Sequence, residues 1–427
     1  MKDRIYSITK TTALITFAFF TVTVFSQPDS LSLNECQELA QKNYPLYKSY
    51  DLIKQSGEYS VSNARTGYLP AISINGQYTT QSDVTSLPLE LPNIQIPKIK
   101  KEQYKIYAEV NQAIYDGGNT KVKRMAAESQ TMIEEESLNI DLYKIRERIN
   151  EIYFGILLID KQIAQTDLLK KDINAGLEKM EAAFKNGTVL KSNVDAVKAE
   201  SIKTDQRLID LKAARKAYIS MLSIFLNKTL DYQTGLKIPA TIKINDDITR
   251  PELDLFRARM HNIDIQTSMV SSKNLPRVNL FAQAGYGSPA LNMLNPDADT
   301  WYLAGVRFTY PLNGFYTMKR EKAINELSKR NIELQRDAFM FNTKLQTSRQ
   351  QIEIEKISQL ISSDNQIVEL RESVKKASLA QLENGVITSS DYLREVIAAD
   401  QAHQTKSMHE IQLLLAIYNH QLITGNK

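Results

Sequence analysis

The chain has 427 residues, 42% hydrophobic and 24% charged, the balance of a folded protein and not of a disordered one. A formal charge of +4 is too small for an electrostatic footprint on nucleic acid. A single cysteine excludes an internal disulfide framework.

Residues 1–26 read as a secretory signal. Lys2, Arg4 and Lys10 precede the apolar run Thr11 to Val24, and Val24-Phe25-Ser26 offers a cleavage site. Removing the segment takes away three basic residues and one acidic residue and leaves a charge of +2. The run is short for a membrane helix, and no later stretch holds 18 apolar residues. Cys36 lies ten residues past the expected cut, too far for lipid attachment there, and reads as a helix-face residue.

Ser32-Leu33-Asn34-Glu35 is a capping-box pattern opening a helix that Pro45 interrupts and that resumes to about Arg65. After Tyr68-Leu69-Pro70, period-two alternation predicts a strand with Ile72, Ile74, Gly76 and Tyr78 on one face. A loop with Pro88, Pro92 and Pro97 follows, then a second strand over about 104–115 with Ile106, Ala108, Val110 and Ile114 on one face. Asp116-Gly117-Gly118-Asn119 ends it. From Thr120 to Asn186 there is no proline, which predicts a rod of roughly 100 Å. Asn186-Gly187 turns the chain, and Ser192 or Asn193 is positioned to cap a return helix to about Leu226. Residues 227–250 read as a connector.

The order then repeats. Arg250-Pro251-Glu252 starts a helix, Leu275-Pro276 precedes a strand, and Gly285 to Thr300 reads as a loop. A second strand carries Tyr302, Ala304, Val306, Phe308 and Tyr310 on one face. A rod from Tyr316 to Asn384 contains neither Pro nor Gly. Gly385 turns it into a last helix ending near Thr424. Gly187 and Gly385 are 198 residues apart, and Pro70 and Pro276 are 206 apart, the mark of an internal duplication. The expected division is a first repeat over 27–230 (strands 68–80 and 104–115, hairpin 120–226) and a connector over 231–250. A second repeat covers 251–427, with strands 276–287 and 301–312 and hairpin 316–424.

Strands of about ten alternating residues match a tilted bilayer crossing. Four strands cannot close a barrel and about eight is the minimum, so strands must be pooled: two copies give eight, three give twelve. Tyr68, Tyr104, Trp301, Tyr302 and Tyr310 lie near strand ends, where interfacial aromatic residues sit. A soluble sheet with one buried face is the other reading of the same alternation. The rods are amphipathic, with apolar residues at steps of three and four, and suit lateral packing against other helices.

No enzyme signature and no metal or cofactor motif is present. The four histidines, His261, His403, His409 and His420, lack the four-residue helical metal spacing and read as surface residues. Glu134-Glu135-Glu136 reads as a solvated helix face.

The Leu31 to Glu35 opening, Tyr68-Leu69-Pro70, Tyr115-Asp116-Gly117-Gly118, and the two turn sequences Phe184 to Gly187 and Leu382 to Gly385 recur in order. With them the chain resembles the TolC family of outer-membrane efflux proteins. The resemblance implies a mostly α fold with a transmembrane β portion: a homotrimer with a twelve-stranded β-barrel in the outer membrane. The barrel continues into a long periplasmic α-helical barrel, with small helices around the connector. It implies a passive exit duct for efflux or type I secretion, working with a periplasmic adaptor and an inner-membrane transporter. The adaptor-contact turns map onto Asn186, Gly187 and Thr188, and onto Asn384, Gly385 and Val386. The family's acidic constriction maps onto Asp391; its counterpart in the first half is Asn193, with Asp195 two residues on. Asp391 with Ser389 and Ser390 also reads as a helix cap. The alternative is a periplasmic coiled-coil adaptor, which also carries a long hairpin.

Overall fold

A computed structural model describes residues 30–85 and 99–426. The signal segment and the three prolines at 88, 92 and 97 lie outside the described residues.

The elements follow the breakers in the sequence. Helices α1 (Leu33–Asn43) and α2 (Ser49–Arg65) flank a 3-10 turn at Pro45. Strands β1 (Ala71–Thr80) and β2 (Glu102–Tyr115) come next. Two helices, α3 (Asn119–Lys185) and α4 (Lys191–Leu226), form the first hairpin. Helix α5 (Pro251–Lys273) leads into β3 (Arg277–Ser288) and β4 (Asp299–Thr309). The second hairpin pairs α6 (Phe315–Glu383) with α7 (Ser389–Thr424). At 1.5 Å per residue, the 67 residues of α3 and the 69 of α6 each extend about 100 Å. Such helices persist because nothing in them breaks the backbone ladder and because neighbouring helices bury part of each.

The predicted loop 285–300 is shorter than expected. Strand β3 continues to Ser288 and β4 starts at Asp299, because Tyr286, Gly287 and Ser288 keep their pairing with β2. The connector carries no helix. It runs extended, held by a parallel bridge from Leu236 to Leu31 and by the Tyr418 hydroxyl, which donates to the Ala240 carbonyl at 3.1 Å. Here α1, α3, α4 and α7 enclose the largest apolar core, around Tyr153, Phe154, Ile149, Ile156 and Leu222. Cys36 is fully buried in that core, and burial, with Glu35 nearby, pushes its thiol up to about 12.

The four strands form one antiparallel meander, β1-β2-β3-β4, joining the halves through β2 and β3. Register places like with like. Ile74 pairs with Ala108, Ala108 with Ala284, and Ala284 with Tyr302. The neighbouring row is Asn75, Tyr107, Gly285 and Trp301. One face is therefore apolar throughout its middle, and it is the bare one: Ile74 is 77% exposed and Tyr302 80%. Trp301 does not share that face, unlike Tyr104 and Tyr302. The one-residue alternation puts its ring on the polar face, 5.5 Å from the ring of Tyr107. Among the described residues the outer edges of β1 and β4 are unpaired.

Candidate functional site

The two hairpin turns are built alike, bond for bond. In the first, Gly187 at φ +73° donates its N–H to the Phe184 carbonyl at 2.9 Å, and Thr188 donates to Ala183 at 3.0 Å. In the second, Gly385 at φ +71° donates to Leu382 at 3.1 Å, and Val386 donates to Gln381 at 2.8 Å. Both are Schellman stops, in which a left-handed glycine lets two otherwise free helix carbonyls be satisfied. Asn186 and Asn384 are the residues just before each glycine, and Phe184, Leu190 and Val386 stand exposed around the turns.

The helix starts after the turns differ. Helix α7 begins with a full capping box. Thr388 Oγ1 accepts the Asp391 N–H at 3.2 Å, and Asp391 Oδ2 accepts the Thr388 N–H at 3.2 Å. Arg394 donates to the other Asp391 oxygen at 2.9 Å. The Thr388 hydroxyl and backbone bonds, with Arg394, hold the Asp391 carboxyl below the usual carboxylate range. The cap is Thr388 and not one of the three residues after it: Ser389 is buried and Ser390 lies outside the box. In α4 the same position is Leu190, which offers no side-chain cap, and Asn193 is half-buried with its N–H on the Leu190 carbonyl at 3.0 Å. Neither Ser192 nor Asn193 caps the helix, because α4 already starts at Lys191. Asp195 is exposed farther along α4. The structure thus gathers Asp391 with its own cap, and leaves Asn193 and Asp195 on the separate first hairpin.

Behind the turns the hairpins are tied together. An apolar cluster draws Ile173 and Met180 from α3, Val194 and Val197 from α4, and Tyr392, Leu393 and Val396 from α7. Polar ties cross between hairpins around it. Lys179 meets Glu383 at 2.5 Å, Lys375 meets Asp172 at 3.1 Å, and Asp400 binds Gln165 at 3.2 Å and faces Arg207 at 3.5 Å. Burial pushes Asp400 above the usual carboxylate range, against the lowering effect of Gln165 and Arg207. Burial also raises Glu372, but its bonds to Lys375 and His403 outweigh this and leave it below its usual range.

Three histidines expected at the surface are instead placed against carboxylates. His403 Nε2 lies 3.0 Å from Glu372 Oε1, His409 Nδ1 lies 2.6 Å from Asp364 Oδ2, and His420 is 1% exposed beside Asp246. The hairpin folds α7 back onto α6, so His403 and His409 meet acids roughly as far from Gly385 as they are, while His420 meets Asp246 of the connector. That spacing between acids on α6 and histidines on α7 was the available signal. His261 is exposed, as expected. Among the described residues no group of three His, Cys, Asp or Glu side chains is placed to hold a metal ion, and no helix is long and apolar enough to cross a membrane.

The sequence profile of the outer membrane efflux protein family matches residues 39–222. No curated protein matches the chain in sequence. Solved structures match it in fold at low identity. CusC superposes with a TM-score of 0.70 at 10% identity, covering 92% of each chain. The outer membrane protein VceC from Vibrio cholerae gives 0.65 at 14%, over 92% of this chain and 97% of that one. The open state of the MtrE outer membrane channel from Neisseria gonorrhoeae gives 0.65 at 11%, over 92% and 89%. Residues 39–222 thus carry the sequence profile of the outer membrane efflux proteins, and nearly the whole chain shares the fold of the solved channels.

Proposed function

We propose that three copies of this chain form an exit duct through the outer membrane of a Gram-negative type envelope. The observation that carries the reading is the sheet: among the described residues its apolar face is bare and its two edges are unpaired. In water such a sheet invites aggregation. In lipid every backbone group must be satisfied, and only a closed barrel does this for strands. Strands of 10 to 14 residues suit a tilted crossing. Three four-stranded sheets, each β4 pairing with the next copy's β1, close a barrel of twelve with the apolar face toward lipid and the polar face toward the lumen. The two halves, 27–230 and 251–427 about a connector at 231–250, act as structural repeats that double the staves each chain adds to the helical wall. The exposed apolar residues along α4 and α6, such as Ile209, Ile224, Leu327 and Leu334, then become contacts between copies.

The hairpin ends form the periplasmic gate. Asn186, Gly187 and Thr188, with Asn384, Gly385 and Val386, meet a periplasmic adaptor coupled to an inner-membrane transporter. Asp391, Asn193 and Asp195 ring the closed passage, with Asp391 also capping its helix. Opening slides the α6–α7 hairpin against α3–α4. Apolar contacts are non-directional and tolerate sliding, whereas the polar ties fix one register.

Membrane fractionation and planar-bilayer recording test this. The expected result is a heat-modifiable trimer in the outer-membrane fraction that forms a low-conductance channel. A detergent-independent periplasmic monomer refutes the duct and favours the adaptor reading.

A further inference from the structure

The loop between β3 and β4, residues 289–298, does not project freely from the end of the sheet. It folds over the polar face, where Leu291 and Met293 overhang Gln77, Gln103, Lys105 and Gln283 around a cavity of about 590 Å³. The loop is held by its own bonds: the Ser288 hydroxyl donates to the Pro296 carbonyl at 2.9 Å, and the Asn292 and Asn295 side chains accept the N–H groups of Leu294 and Asp297 at 3.1 Å each. Yet Leu291, Met293 and Leu294 remain more than half exposed. Three bare apolar side chains on a bonded loop, above an otherwise polar surface, lack a purpose within one chain.

Within the proposed trimer, on which this inference rests, the polar face lines the lumen and the loop lies at the end of the sheet opposite the long helices. Twelve strands about 4.8 Å apart and tilted by about 40° enclose a backbone radius of about 12 Å. A ten-residue loop doubling back reaches at most roughly 17 Å. Three such loops, already folded inward over the polar face, are long enough to meet near the axis. We propose that they form an outer constriction, a ring of Leu291, Met293 and Leu294 from each copy that excludes water and ions from the outer mouth while the duct is idle. An apolar ring blocks by dewetting and needs no charged gate, so it complements the polar ties at the other end.

The test is lumen access from outside. Asn111→Cys places a thiol on the polar face opposite Phe281, two residues deeper than Gln283. Native Cys36 is fully buried and gives little background. Intact cells are treated with a sulfonated maleimide dye too bulky for general porins. Two loop variants are compared in that background: Leu291→Ser with Met293→Ser and Leu294→Ser, and replacement of Ala290 to Asp297 by Gly-Gly. Labelling of the introduced thiol is expected to be slow with the native loop and about tenfold faster in both variants, all three forming heat-modifiable trimers. Equal rates in all three trimers overturn the constriction and leave the duct standing. Failure of Asn111→Cys and the native chain alike to form trimers overturns the duct reading, and the constriction with it.

Discussion

Replacing Lys179 and Lys375 together by alanine removes two of the ties between hairpins while leaving the apolar cluster behind the turns untouched. The Lys179–Glu383 pair is half exposed and contributes about 0.5 kcal/mol. Lys375 is less exposed and stands between Asp172 and Glu372, so its loss leaves two carboxylates facing each other and costs about 1 kcal/mol. If the three copies open together, the closed state loses roughly 4.5 kcal/mol per trimer, about a thousandfold in the opening equilibrium. Single-channel recording in planar bilayers reads this directly: the double variant should spend most of its time in a high-conductance state that the native protein rarely visits. The apolar cluster should keep thermal stability nearly unchanged, which separates opening from unfolding. An open probability within threefold of the native protein would refute the claim that these ties set the closed register.

Three further outcomes follow from the geometry. Leu190→Thr with Asn193→Asp copies the capping box of α7 onto α4; about 1 kcal/mol of added helix stability should slow hydrogen exchange at the first turn of α4 about fivefold, and unchanged exchange contradicts the equivalence of the two turns. Ile74→Arg puts a charge on the bare apolar face at about 2–4 kcal/mol and should abolish heat-modifiable trimers, whereas Asn75→Arg on the opposite face should not; equal effects would argue against a lipid-facing side. Glu372 has a lowered folded value, so its contribution is present above the ordinary glutamate range and lost as pH falls through that lowered value; Asp400 has a raised value, so its contribution is complete below the ordinary aspartate range and lost as pH rises through the raised one. Thermal stability should therefore rise slightly on mild acidification and fall below about pH 4; Glu372→Gln should reduce the acid loss without touching the rise, leaving the part due to Asp391, by differential scanning calorimetry.

Much of this architecture was legible because it depends on breakers and period. Gly marks both ends of α3 and α6 and the start of α4, and alternation places Ile72, Ile74 and Tyr78 together on one face. What escaped depends on tertiary partners. Trp301 lies near a strand end, as interfacial aromatic residues do, but parity puts it on the polar face against Tyr107. The sequence points to Ser389, Ser390 and Asp391 as the cap of α7, yet the Thr388 side chain does it, one residue earlier, because the Schellman stop at Gly385 uses only three residues before the next helix begins. His403 and His409 read as surface residues because a single helix does not reveal which of its faces the return helix covers. The connector carries no helix because Leu31, Tyr153 and Tyr418 occupy its backbone groups in an extended form.

The central claim is that the sheet of one chain is a third of a barrel. Electron cryo-microscopy of the purified protein in lipid nanodiscs measures it directly. The account predicts three copies about a threefold axis, with β4 of each paired antiparallel to β1 of the next, Ile74 and Tyr302 facing lipid, and the long hairpins forming one continuous tunnel. A particle with another number of copies, or one in which the edges of β1 and β4 remain unpaired, would contradict it.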